Sequence, residues 1–192
     1  MNTTLIRGVD LVASPWKNGG GVTREIAAWP AGAALDTLVW RVSVADVAQA
    51  GPFSRFAGID RTLVLLSGAG MLLDEEGGHT HALMKPLDIA RFKGEAAIDA
   101  RLVDGATRDF NLMLRRGAAT GDVDVWRGEA EHTLSADVVL LFCAAGSIEV
   151  TLDETVPLRL ADNDTLRIDT PHALRCETQG TGALLAISIR YA

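Results

Sequence analysis

The sequence predicts an all-β protein made of two copies of one small antiparallel domain, and three observations carry that expectation. Apolar residues recur with period two in short runs, glycines or acidic residues punctuate most of those runs, and the second half of the chain repeats the layout of the first. The one candidate for a helix is short, residues 44–50, and Gly51-Pro52 ends it.

In chain order, Thr23 and Glu25 share one face of a first short strand, with Val22, Arg24 and Ile26 on the other. Residues 38–45 follow, with Leu38, Trp40, Val42 and Val44 on one side and Val39, Arg41, Ser43 and Ala45 on the opposite side. Further runs span residues 62–66, 70–73, 109–114, 137–143, 148–152, 165–168 and 183–189. An offset of 76 lays residues 63–70 over 139–146 without a gap and carries Asp88-Ile89-Ala90-Arg91-Phe92 onto Asp164-Thr165-Leu166-Arg167-Ile168. Leu65/Leu141, Ala69/Ala145, Gly70/Gly146, Asp88/Asp164 and Arg91/Arg167 are identical, and in both halves the order is strand, small-residue turn, strand, loop, then Asp-x-x-Arg-apolar. That period is too long for a solenoid unit and fits a duplicated β-domain, with antiparallel barrels expected over residues 1–116 and 117–192.

A 192-residue chain, 48% hydrophobic and 22% charged, can bury a sizeable core, which excludes disordered and collagenous classes. Eighteen Lys+Arg against 25 Asp+Glu leave a net charge of -7, the wrong sign for a phosphate-binding surface, so no nucleic-acid partner is expected. The longest apolar run, residues 138–145, falls far short of the roughly 20 residues of a membrane helix. The first seven residues lack a basic region followed by an apolar stretch, so the expected compartment is the cytoplasm. Cys143 and Cys176 form no C-x-x-C and read as buried, inert thiols. A homodimer is compatible with the sequence.

The order of strand, Gly turn, strand and Asp turn resembles cupins, and its doubling resembles a bicupin. Four motifs are similar to the HutD/Ves family: Trp16-Lys17-Asn18-Gly19-Gly20-Gly21-Val22-Thr23-Arg24-Glu25, Trp40-Arg41-Val42-Ser43-Val44-Ala45, the stretch from Gly51-Pro52-Phe53 to Asp60-Arg61, and Asp109-Phe110-Asn111-Leu112-Met113. They cover most of residues 11–116; residues 117–192 match in layout more than in motif. The resemblance implies a bicupin linked to histidine utilisation, whose members temper expression of that pathway and have no established catalytic activity.

Cupins commonly hold a metal through an H-x-H pair, a Glu and a later His. Here the corresponding stretch, residues 53–61, has no histidine. His79 and His81 fall at an expected hairpin tip, His172 stands alone, and His132 reads as surface loop, so no metal and no cofactor are expected. Asn18-Gly19-Gly20-Gly21 lacks the Gly-Lys-Ser/Thr of a P-loop, and no serine sits in a G-x-S-x-G elbow.

What remains is a polar constellation: Lys17, Asn18, Thr23, Glu25, Arg41, Ser43, Asp109 and Asn111, which a small barrel would turn inward around a ligand, with Trp16, Trp40, Phe53 and Phe56 as walls. Solvent-facing sheet residues and core aromatics fit the same pattern, and the glycine triplet suits either a ligand-cradling nest or a plain turn. Two cations and two anions in this set suit a zwitterion or a small acid that also carries donors; internal ion pairs are the rival explanation. Arg41, with its planar fork, is the expected carboxylate anchor. The reading favoured by the lack of metal ligands and of a nucleophile-base pair is a non-catalytic sensor of a small organic acid resembling urocanate or formylglutamate. The alternative is a metal-free enzyme with Glu25 or Asp109 as general base beside Arg41.

Overall fold

The computed structural model describes residues 2–192. Its strands are β1 (Asn2–Ile6), β2 (Ala13–Pro15), β3 (Gly21–Trp29), β4 (Trp40–Val47), β5 (Gly51–Pro52), β6 (Ile59–Ser67), β7 (Met71–Glu75), β8 (His79–Leu83), β9 (Ile89–Lys93), β10 (Ile98–Leu102) and β11 (Thr107–Arg115). The second half continues with β12 (Ala119–Arg127), β13 (Ala130–Leu134), β14 (Val138–Ala145), β15 (Ser147–Leu152), β16 (Leu158–Ala161), β17 (Thr165–Asp169), β18 (Leu174–Gly180) and β19 (Ala183–Tyr191). Among the described residues the only helical element is a 3-10 turn at Gly8–Asp10, and no helix is long and apolar enough to cross a membrane. The one candidate helix, residues 44–50, does not form: β4 runs through Val47, laddered to β3 on one side and β11 on the other. Its alternating apolar residues are buried on both faces, which a short helix ending at Gly51-Pro52 would not achieve.

The chain forms two compact units, residues 12–118 and residues 119–192 together with the N-terminal segment up to Leu11. The N-terminal segment packs with the second half of the chain and not with the first. β1 instead pairs with β17 from Asn2↔Asp169 to Ile6↔Thr165, covering an edge that would otherwise expose its ladder groups.

Each unit is a pair of antiparallel sheets. In residues 12–118 a six-stranded sheet, β2-β3-β4-β11-β6-β9, faces a four-stranded one, β5-β10-β7-β8; the other unit has β1-β17-β14-β19-β12 and β13-β18-β15-β16. Ala45, Leu63 and Leu65 meet Met71, Leu73 and Ile98 across the first core, and Leu141, Leu166 and Leu184 meet Ile148, Val150 and Leu160 across the second. The hydrogen-bond ladders remain open at the sheet edges, so each unit is a two-sheet sandwich where closed barrels were expected.

The duplication is visible in the topology. β4-β11-β6-β9 recurs as β12-β19-β14-β17, and β5-β10-β7-β8 as β13-β18-β15-β16. Asp88 and Asp164 occupy the same turn: Leu65 N donates to Asp88 O at 3.0 Å and Leu87 N to Leu65 O at 2.7 Å, while Cys143 N donates to Asp164 O and Asn163 N to Cys143 O, both at 2.8 Å. The preceding residues, Leu87 and Asn163, both take positive φ, 74° and 67°. Leu65 therefore stands where Cys143 does and not where Leu141 does, two residues out from the gapless alignment. A slip of two keeps every side chain on its face, and so the sequence repeat survives it.

Asp164 also ties the N-terminal segment down. Its carboxylate accepts from Gly8 N at 2.9 Å, Arg7 Nη1 at 2.7 Å and Ala161 N at 3.2 Å, whereas Asp88 accepts from the nearby Met84 and Lys85 N–H groups. Asp164→Ala should cost about 2 kcal/mol in urea unfolding and Asp88→Ala less than about 1 kcal/mol, because only the former removes part-buried hydrogen bonds that tie down a distant segment. Equal costs would show that the N-terminal anchor contributes nothing.

Candidate functional site

Residues 12–118 form an open-mouthed cavity of about 490 Å³. Its floor is the inner face of the six-stranded sheet, and register sets the floor out in rows. Arg41, Met113 and Arg61 form one row, Ser43, Asn111 and Leu63 the next, and Ala45, Asp109 and Leu65 the third. Two guanidiniums thus flank Met113, with Asn111 and then Asp109 running down the central strand. Thr23 of β3 adds to this floor, and the walls come from residues 14–18 and 52–56.

Local structure explains the walls. Trp16 Nε1 donates to Thr23 Oγ1 at 2.7 Å, which fixes the indole over the sheet. The glycine triplet is a turn closed by Trp16 N to Gly21 O at 2.9 Å and Gly19 N to Trp16 O at 3.0 Å. A Cβ on Gly21 would lie 2.5 Å from Asp46 O and 3.1 Å from the Trp16 ring, so the glycine lets the loop close down on the sheet.

Of the residues singled out in the sequence, Lys17, Asn18, Thr23, Arg41, Ser43, Asp109, Asn111, Trp16, Phe53 and Phe56 line this cavity. Two do not. Trp40 is fully buried on the opposite face of β4, as its parity relative to Arg41 demands, and it forms no part of the wall. Glu25 accepts from Arg41 Nε at 2.7 Å and, with 43% of its side chain exposed, holds that guanidinium without lining the cavity.

Arg61 is the residue that sequence reasoning missed. It lies on β6, where residues 61, 63 and 65 share the inner face, but the apolar run that marks this strand starts one residue later, at Thr62. Only 8% of Arg61 is exposed. Its guanidinium carbon sits 5.4, 5.5 and 5.1 Å from the ring centres of Phe53, Phe56 and Phe92, and Nε and Nη2 both donate to Asn111 Oδ1 at 3.3 Å. Three aromatic faces are a favourable setting for a desolvated cation. Burial pulls its pKa down to about 10, opposed by the negative charge of Asp109, and it stays protonated at neutral pH.

Asp109 is 2% exposed, and among the described residues its Oδ1 has no hydrogen-bond partner. Burial pushes its carboxyl up to about 7; Arg61 acts against this rise and Asp46 adds to it. Asp46 itself is held below the ordinary carboxylate range by hydrogen bonds from Arg108 and Arg24 that outweigh its partial burial. A buried arginine, a buried orphaned carboxyl oxygen and an aromatic wall in one concavity are the marks of a ligand site.

The second sandwich has no such floor. With Leu65 at the place of Cys143, the ladders put Val139, Leu184 and Ala186 where Arg61, Asp109 and Asn111 stand, and all three belong to its apolar core. Cys143 and Cys176 are buried there, and burial raises their thiols to about 11 and about 12.

The histidines make no metal cage. His79 and His81 lie edge to face on β8, with His81 Nε2 3.4 Å from Glu75, but among the described residues no three His, Cys, Asp or Glu converge as a metal would need. His132, expected in a loop, is in β13 and stacks on Trp126 at 3.5 Å.

The HutD family model matches residues 9–186. The chain belongs to the HutD family. It is 37% identical over 187 residues to an uncharacterized 21.2 kDa protein in the hutC 3' region of Pseudomonas putida, covering 97% of each chain, and 32% identical over 181 residues to protein Ves of Escherichia fergusonii, covering 92% and 88%. The structure of HutD from Pseudomonas fluorescens SBW25 superposes with a TM-score of 0.86 at 33% identity, covering 100% of both chains. HutD proteins are associated with histidine utilisation. Likeness to E. coli protein Ylba, TM-score 0.73 at 12% identity, shows a cupin-like all-β fold alone.

Because Asp109 holds its proton more tightly in the folded chain than in the unfolded one, folding takes up a proton between about pH 4 and 7, and the contribution of Asp109 to stability declines as pH rises through that window. Relative to Asp109→Asn, the parent should therefore lose stability from pH 4 to 7 and change little above it, as read from thermal unfolding of both proteins. A flat difference would mean that Asp109 is ionised throughout.

Proposed function

We propose that this HutD-family chain is a bicupin in which the first sandwich binds a small organic acid without converting it, and that it tempers histidine utilisation as a sensor of such an acid. The observation that carries this reading is Arg61: a cation enclosed by three aromatic rings, hydrogen-bonded to Asn111 and facing a cavity large enough for a small metabolite. A carboxylate is the natural complement to such a fork. Arg41, the anchor expected from the sequence, is already engaged by Glu25, which leaves it a secondary contact and gives the main role to Arg61. The second sandwich, filled with apolar side chains, serves as scaffold in this reading.

Urocanate and N-formylglutamate are the acids to test first, by calorimetry on the parent, Arg61→Lys, Arg61→Ala and Arg41→Ala. Removing the buried partner of a charged hydrogen bond costs about 2–5 kcal/mol, so Arg61→Ala should weaken binding at least roughly 30-fold, and Arg41→Ala should do so less. Arg61→Lys should recover only part, since a point charge does not reproduce a bidentate contact. Failure of every acid to bind at millimolar concentration would refute the assignment. A second reading, favoured by the raised pKa of Asp109, makes that carboxyl a general base in a metal-free enzyme. Disappearance of a bound acid over time, abolished in Asp109→Asn, would move the protein to that class.

A further inference from the structure

We propose that Asp109 faces the ligand as a protonated, neutral hydrogen-bond donor, so that the cavity selects acids carrying a neutral acceptor beside the carboxylate and takes up a proton as it binds them. The proposal rests on the acid-binding reading above and adds to it the second recognition element and its pH linkage.

The geometry comes first. Asp109 is buried on the central strand of the floor, lines the cavity, and has an oxygen with no partner among the described residues. Asn111 on the same strand and face already engages Arg61, and Asp109 lies next along that face in the same cavity, within reach of a second polar group on an acid held by Arg61. An ionised carboxylate left dry with no donor is strongly disfavoured, whereas a neutral acid there is cheap and offers an O–H.

The surrounding charges point the same way. From β6, Arg61 favours the ionised form, and from β4, Asp46 disfavours it. Asp46 is paired with Arg24 of β3 and Arg108 of β11, Arg41 of β4 is paired with Glu25 of β3, and Lys17 lines the cavity from the loop before β3. Arg61 is thus the main group holding Asp109 towards ionisation. An anion on Arg61 cancels that influence and excludes water, so the bound state favours the protonated carboxyl, which burial has already brought into the neutral range. By linkage, the acid must then bind more weakly once Asp109 is deprotonated in the free protein.

The probes are N-acetylglycine, a carboxylate with a neutral amide acceptor, and glycine, whose ammonium would instead suit an ionised Asp109. Expected are tighter binding of N-acetylglycine than of glycine, a Kd for N-acetylglycine that is flat from pH 5 to 7 and rises up to about tenfold per unit from pH 7 to 9, and proton uptake at pH 8 in calorimetry with two buffers of different ionisation enthalpy. Asp109→Asn, whose amide donates as the neutral acid does, should bind within about threefold of the parent at pH 6 and lose the pH dependence. A pH-independent Kd in the parent, absence of proton uptake, or tighter binding of glycine would overturn the proposal while leaving acid binding intact. Failure of both probes, together with urocanate and N-formylglutamate, to bind would instead remove the acid-binding reading and this proposal with it.

Discussion

A guanidinium held inside a β-sandwich constrains everything around it. Arg61 is removed from water on a strand whose neighbours on the same face, Leu63 and Leu65, belong to the core or its edge. Its charge is tolerated because Phe53, Phe56 and Phe92 present ring faces, because Asn111 accepts two of its N–H groups, and because Asp109 lies close enough to act on it electrostatically. These residues come from separated parts of the chain, so one buried cation recruits the loop after β5, the strand β9 and the central strand β11 into a single polar floor.

The two sandwiches show what that constraint adds to a common scaffold. Their strand orders match, and their Asp turns match down to the positive φ of the preceding residue. At the places of Arg61, Asp109 and Asn111 the second sandwich carries Val139, Leu184 and Ala186, and its core closes. Three polar residues in register, together with β2, β3 and the turn between them, which have no counterpart beside β12, separate the cavity of the first sandwich from the packed core of the second. The apolar version asks for no partners. The polar version leaves the orphaned oxygen of Asp109, which is the kind of unsatisfied group a native fold retains for a purpose.

The loops around the cavity follow from the same economy of contacts. Gly21 lets the turn from Trp16 close against Asp46 O, and the Trp16 indole is pinned by Thr23, so the wall is set by steric fit and one hydrogen bond. At the mouth, Glu25 fixes Arg41 in an ion pair that is partly solvated, a weaker arrangement than the one around Arg61 and one better suited to a guiding contact than to an anchor.

By itself the sequence determined the class, the duplication and most of the floor, because strand periodicity assigns faces wherever apolar and polar residues alternate. Thr23, Arg41, Ser43, Asp109 and Asn111 were legible on that ground. Trp40 was misplaced as a wall although its parity opposed Arg41, and the candidate helix over residues 44–50 overlaps the end of β4, which continues to Val47. Arg61 lay just outside its apolar run, and only the ladder pairing it with Met113 reveals that a charged residue at a strand's beginning turns inward. That β1 pairs with β17 is decided by long-range hydrogen bonds between residues more than 150 positions apart. Tertiary structure alone assigns such partners, since any exposed edge of matching length satisfies a local strand equally well.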